Sequence, residues 1–173
     1  MNILQKFIPV TTLIFDMDGV LTDGSLMIMP GGEWLRKMNI KDGYALQLAI
    51  KQGYRVIVIT GSSSSPVEQR LYKLGIKHVF QQVADKKILT EELMREHKLE
   101  KEEVMYMGDD VPDLEVMRVA GVSCCPADAA RDILDMADYI STERGGEGCV
   151  RDVIEKIMRV QEKWKARPDV AST

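Results

Sequence analysis

Apolar residues gather along this chain in five short runs, Thr11–Phe15, Arg55–Ile59, His78–Phe80, Val104–Met107 and Val122–Cys124. The runs show little apolar–polar alternation, so they read as strands buried on both faces, the habit of a parallel sheet. Between them, Tyr44–Gln52, Pro66–Leu74, Lys86–His97 and Leu114–Ala120 carry apolar residues at helical spacing, as in Leu71 and Leu74 or Leu89 and Leu93. Pro66 suits a first helical turn and Gly75 a C-terminal stop. The β-α-β-α rhythm predicts an α/β domain with right-handed crossovers.

One stretch breaks the rhythm. Leu26–Met29 and Trp34–Asn39 flank Pro30-Gly31-Gly32-Glu33 and predict a β-hairpin inserted after the first strand. A last helix is expected over about Val150 to Trp164, after the glycine-rich Gly145-Gly146-Glu147-Gly148. Residues 1–165 therefore read as one domain, and 166–173, without apolar pattern, as a mobile tail.

Size and charge narrow the function classes. A chain of 173 residues, 45% hydrophobic, can bury roughly 70% of the surface exposed when unfolded. Its 23 basic and 27 acidic residues are mixed and give a net charge of -4, which offers no basic field to a nucleic-acid backbone. No apolar run approaches the ~18 residues of a membrane span. Met1–Val10 lacks a small-residue cleavage site and runs straight into the first strand, which argues against a signal peptide. Cys124, Cys125 and Cys149 have neither disulfide-framework nor metal-site spacing, and fit a reducing cytoplasm.

The candidate chemistry starts at Phe15-Asp16-Met17-Asp18-Gly19, where a buried strand ends in two carboxylates and a turn-forming glycine. Ligands of open α/β sheets bind at that carboxyl edge. Two acids so close repel each other unless a cation or a shared proton intervenes. A lone pair of this kind is more often a strand-ending turn with solvated acids. Three further features change the balance. Thr60-Gly61 ends another buried strand, Asp85-Lys86 opens a helix, and Gly108-Asp109-Asp110-Val111-Pro112-Asp113 ends a fourth strand. Singly, Thr60 reads as a helix cap, Lys86 as a solvated residue, and Asp109 and Asp110 as capping acids. Together they bring carboxylates, a hydroxyl, an ammonium and glycine amides to one sheet edge, as phosphoryl transfer requires.

In order and spacing, these segments resemble the four motifs of the haloacid dehalogenase superfamily over about Thr11 to Gly121. The resemblance implies a doubly wound, Rossmann-like parallel sheet of order 3-2-1-4-5, with the site where strands one and four diverge. It implies that Asp16 is a nucleophile forming an aspartyl-phosphate, and that Asp18 is the general acid/base and lends its backbone carbonyl to Mg²⁺. Thr60 and the Gly61 amide would hold the phosphate and Lys86 would neutralise it. Asp109 would complete the Mg²⁺ site, with Asp110 and Asp113 as supporting acids.

Asp23-Gly24, the hairpin, Lys41-Asp42-Gly43-Tyr44 and Gly145–Arg151 are similar to the 3-deoxy-D-manno-octulosonate 8-phosphate phosphatase branch, which extends the match to about Lys165. Only forty-two residues separate Asp18 from Thr60, too few for a hairpin, a helix and a separate cap domain. The branch implies a homotetramer whose neighbours close the pocket, and a phosphorylated acidic sugar as substrate. A nine-carbon keto-sugar acid 9-phosphate is the runner-up. Ser62–Ser65 departs from the branch, many members of which carry a basic residue after Thr-Gly; Ser62, Arg70 and Arg151 are the candidates for holding the sugar acid.

Other readings compete. A receiver-like signalling domain also clusters aspartates, Thr and Lys, but places its phosphorylated Asp on a middle strand, where His78–Phe80 has none. A catalytically dead interaction protein would have no need of the intact acid, hydroxyl and lysine set. His78 and His97 have no metal-ligand partner in sequence, and the eleven methionines read as packing residues.

Overall fold

The computed structural model describes residues 2–170. Its centre is a six-stranded sheet built from β1 (Thr12–Phe15), β4 (Arg55–Ile59), β5 (His78–Phe80), β6 (Val104–Met107), β7 (Val122–Cys125) and β8 (Tyr139–Ile140). The order is β5-β4-β1-β6-β7-β8 and every pairing is parallel. This is the expected order with one strand added at the edge. β8 is only two residues long and flanked by polar residues, which hides it from pattern reading.

Both faces of the sheet are apolar, and successive side chains serve opposite sides. Leu13 and Phe15, Val56 and Val58, and Met105 and Met107 pack with α2 (Ile40–Lys51), α3 (Ser65–Lys73) and α7 (Cys149–Val160). Ile14, Ile57, Ile59 and Tyr106 pack on the other face with α4 (Lys86–His97), α5 (Leu114–Val119) and the short α6 (Arg131–Leu134). A first helix, α1 (Ile3–Phe7), sends Phe7 into the former core. The three cysteines are buried and unpaired.

Several boundaries differ from the sequence expectations. α2 begins at Ile40, because Asn39 accepts the Lys41 N–H as a cap and Asp42 and Gly43 are buried within the helix. α7 ends at Val160, short of Trp164. There the Gln161 side chain donates to the carbonyls of Phe7 and Val10, and Glu162 takes a positive φ of 57°. Within the segment expected to be a mobile tail, Asp169 pairs with Lys51 at 3.1 Å and Val170 packs against the core. Positions 171–173 of that expected tail lie outside the described residues.

Between β1 and β4 stand only α2 and the hairpin, whose strands β2 (Met27–Ile28) and β3 (Trp34–Leu35) are shorter than expected. Nothing in that segment forms a cap. Met27, Ile28, Trp34 and Leu35 are exposed by 65%, 70%, 57% and 45%, a large apolar surface for so short a ribbon.

Candidate active site

The parallel register sets the site. Phe15 is level with Val58 on one side and Met107 on the other, so the residues just beyond, from Asp16, Thr60 and Asp109, leave the sheet at the same edge. Lys86 joins them as the first residue of α4, with Asp85 accepting the Ile88 N–H as its cap.

Asp16 is buried, and its Oδ1 accepts from the Met17 N–H at 2.7 Å and pairs with the Lys86 ammonium at 2.9 Å. Lys86 also pairs with Asp113 at 2.8 Å. Burial opposes the lysine's charge, but Asp16 and Asp113 more than offset it and hold the ammonium above its usual range. Asp113 has little capacity left. Its Oδ1 accepts from both Lys86 and the buried Tyr106 phenol, and its Oδ2 accepts the Asp109 N–H at 3.1 Å.

Asp16, Asp109 and Asp113 bring ligand oxygens within 4.8 Å of one another. A single lysine cannot balance three carboxylates. Burial, then the charge of Asp113, pushes Asp16 up to about 6; burial, then Asp16 and Asp113, pushes Asp109 up to about 7. An oxygen-ligated divalent cation would relieve that excess charge, so the donor set fits Mg²⁺. Since Asp113 is committed to its hydrogen bonds, Asp16 and Asp109 are the carboxylates with capacity to bind it. Gly19 makes room for this arrangement: at its φ of 88°, a Cβ would fall 2.0 Å from Asp109 Oδ2.

Asp18 sits apart from the cluster. Arg36 grips it with two hydrogen bonds, Nε to Oδ1 at 2.6 Å and Nη2 to Oδ2 at 3.2 Å, and the Ser62 hydroxyl donates to Oδ2 at 2.7 Å. Ser62 is thereby linked to Thr60, whose Oγ1 accepts the Ser62 N–H at 3.1 Å. Thr60 is buried, whereas Gly61 is exposed with its amide available at the edge.

The remaining candidates lie elsewhere. Asp110 is exposed and caps the turn that follows, accepting the Val111 N–H; its carboxylate does not join the cluster. Arg70 lines a cavity of about 290 Å³ between β3 and α3, together with Arg36, and its Nη2 is buried without a hydrogen-bond partner. Arg151 stacks near Tyr44 and Trp164, 5.9 and 5.5 Å from their ring centres, in a separate groove. Within the chain it does not reach the acids. Sequence reasoning missed Arg36 and Tyr106, for an arginine in a hairpin reads as solvated and a tyrosine in an apolar run as packing.

Comparison with known proteins agrees with this geometry. A family model described as haloacid dehalogenase-like hydrolase matches residues 40–127. The chain is 36% identical over 162 residues to the 3-deoxy-D-manno-octulosonate 8-phosphate phosphatase KdsC of Escherichia coli K12, covering 94% of this chain and 86% of that one. It superposes on the crystal structure of the Yersinia pestis phosphatase of the same name with a TM-score of 0.91 and 36% identity, covering 94% and 88% of the two chains. The Moraxella catarrhalis phosphatase, solved with a magnesium ion, a phosphate ion and a KDO molecule, gives a TM-score of 0.90 at 33% identity, covering 94% and 93%. The chain therefore belongs to the haloacid dehalogenase-like hydrolases, in the branch of the 3-deoxy-D-manno-octulosonate 8-phosphate phosphatases.

Proposed function

We propose that this protein is a Mg²⁺-dependent phosphatase that hydrolyses 3-deoxy-D-manno-octulosonate 8-phosphate to the free sugar acid and phosphate. The observation that carries the reading is the meeting of Asp16 and Asp113 around Lys86, at 2.9 and 2.8 Å, with an Asp109 oxygen within 4.8 Å of theirs, at the carboxyl edge of the sheet. The family and the relatives' substrate support the rest.

Asp16 is the nucleophile in this reading: its carboxylate attacks phosphorus, the ester oxygen leaves, and an aspartyl-phosphate forms. Lys86, already beside Asp16, neutralises the incoming phosphoryl oxygens, with the Thr60 hydroxyl and Gly61 amide as further donors. Asp18 protonates the leaving alkoxide and then takes a proton from the water that cleaves the acyl phosphate. Asp16, Asp109 and the Asp18 backbone carbonyl would hold Mg²⁺, which when bound supplies electrostatic relief between the carboxylates and the phosphoryl dianion. Asp113 orients Lys86 and the Asp109 loop.

We place the activity in residues 1–165, in the cytoplasm, and in a homotetramer. The exposed apolar hairpin supports assembly, since so short a ribbon has strand edges that a monomer must protect. Closure by a neighbour would also exclude water from a site that lacks a cap. Arg70 or a neighbour's Arg151 would meet the sugar carboxylate. Steady-state kinetics across eight- and nine-carbon keto-sugar acid phosphates and hexose phosphates tests the reading. A higher kcat/KM for a neutral hexose phosphate would overturn the substrate and leave the phosphatase chemistry standing.

A further inference from the structure

Arg36 is the one basic side chain of the hairpin segment Leu26–Met38 that turns inward onto the reacting groups. Its side chain is only 3% exposed, although the neighbouring Trp34 and Leu35 lie on the surface. Both oxygens of the Asp18 carboxylate are taken up by it, in the fork-to-fork geometry that fixes a carboxylate's plane as well as its place. Ser62 adds a third bond from the loop after β4. The Asp18 backbone is part of the Met17–Leu21 turn and contributes no further restraint on the side chain beyond a 3.5 Å contact with the Thr22 hydroxyl. The direction of the Asp18 carboxylate is thus set from outside its own loop, chiefly by a residue eighteen positions away.

We infer that Arg36 is a positioning residue for proton transfer, fixing the place and plane of the Asp18 carboxyl, with the Ser62 bond to Oδ2 given up when that oxygen carries the proton, so that seating of the hairpin arms the site. The inference rests on the reading of Asp18 as the general acid/base. A group that transfers a proton must lie within hydrogen-bond reach of its target, and a carboxylate free to rotate spends most of its time elsewhere. Lysine could supply the charge at position 36 but not two parallel donors, so it would fix the place of the carboxylate without its plane. The hairpin that carries Arg36 is anchored where Met38 packs against the core and bridges to Thr22, and it meets α3 across the cavity that Arg70 lines. Its position therefore becomes a condition for catalysis.

The test compares two esters in wild type, Arg36→Ala and Arg36→Lys. 3-Deoxy-D-manno-octulosonate 8-phosphate has an alkoxide leaving group that needs a proton, whereas p-nitrophenyl phosphate releases a stabilised anion that does not. Removing the guanidinium should lower kcat/KM for the sugar phosphate about 100-fold, in the range of general acid contributions, and leave that for p-nitrophenyl phosphate within about fivefold. Arg36→Lys should recover part of the loss, and added guanidinium ion should restore activity to Arg36→Ala with the sugar phosphate alone. Equal losses with both esters, or a rise in KM with kcat unchanged, would make Arg36 a structural or substrate-binding residue and overturn the inference; so would no loss at all. If Arg36→Ala does not fold, the ratio of the two esters in Arg36→Lys decides by the same criterion. A wild-type protein that hydrolyses neither ester would overturn the phosphatase reading and this one with it, whereas loss of the ester discrimination alone would overturn only this one.

Discussion

The Lys86 ammonium stands 2.8 Å from Asp113, a carboxylate that is almost wholly enclosed and also accepts the Tyr106 phenol. The lysine is therefore held from behind, by a group rooted in the β6 end of the sheet, while its front meets Asp16. Burial, then Asp113, raises the Tyr106 phenol well above its usual range, so it stays a donor. Asp113→Asn keeps the shape but removes this countercharge and turns an amide toward the Asp109 N–H. Turnover should fall at least about tenfold, while Lys86 keeps Asp16 as its ion partner. Steady-state kinetics on the variant checks this; a wild-type rate would remove the supporting role.

Asp16→Asn leaves the fold able to form and removes the nucleophile. Turnover should drop by several orders of magnitude. Wild-type activity should also vanish in EDTA and return with added Mg²⁺. Full activity in EDTA, or in the variant, is the result that refutes the mechanism.

Gly19→Ala places a methyl group where the Asp109 carboxylate now lies, on backbone at a φ of 88°. The conformational strain alone is worth about 1–2 kcal/mol. Displacement of Asp109 should weaken Mg²⁺ activation as well, seen as a higher metal concentration for half-maximal rate. An unchanged Mg²⁺ titration would show that the close approach of this loop does not matter.

Asp42 offers a pH signature away from the acid cluster. Burial pushes its carboxyl from 3.8 up to about 6, against hydrogen bonds from the Arg151 and Gly148 backbone amides. The native state thus binds a proton that the unfolded chain has lost, so this group's contribution to stability falls as pH rises from about 4 to about 6, then stays level. The difference amounts to on the order of 2–3 kcal/mol. Asp42→Asn cannot ionise and should be more stable relative to wild type at pH 7.5 than at pH 4.5. Parallel pH profiles of urea midpoints for the two proteins would contradict this.

Ile28→Glu puts a charge on the most exposed of the hairpin's apolar residues. Light scattering should show a tetramer for wild type and a smaller, less active species for the variant. A wild-type protein that is monomeric and fully active at working concentration removes the assembly proposal.

Much of this architecture is legible without coordinates, for identifiable reasons. Strands such as Arg55–Ile59 and Val104–Met107 are bounded by polar or glycine residues and buried on both sides, so hydropathy alone delimits them. Lys86–His97 is legible because Asp85 caps it. Lys41-Asp42-Gly43 looks like a turn by composition, yet Asp42 finds the amides of the α7 N-terminus as partners and the helix runs through. Contacts across the fold leave no local mark: the Arg36–Asp18 pair joins residues whose neighbours say nothing of each other. Asp110 and Asp113, alike in the sequence, divide into an exposed cap and a buried hub only once the turn between them is formed.

β1 lies in the middle of the sheet, yet it is the first strand in the chain, and its partners on either side are β4 and β6. A chain folded only through β4 would leave one backbone edge of β1 open, with apolar side chains on both faces and its future neighbour β6 still about 45 residues beyond the end of β4. Pairing at that separation carries a loop-closure cost before it returns any contact, which makes it a slow step and an aggregation-exposed one. Asp16 and Asp109 meet only when that pairing is complete. Recovery of activity on refolding should therefore lag the formation of helices, and the catalytic rate becomes a clock for the last joining of the sheet.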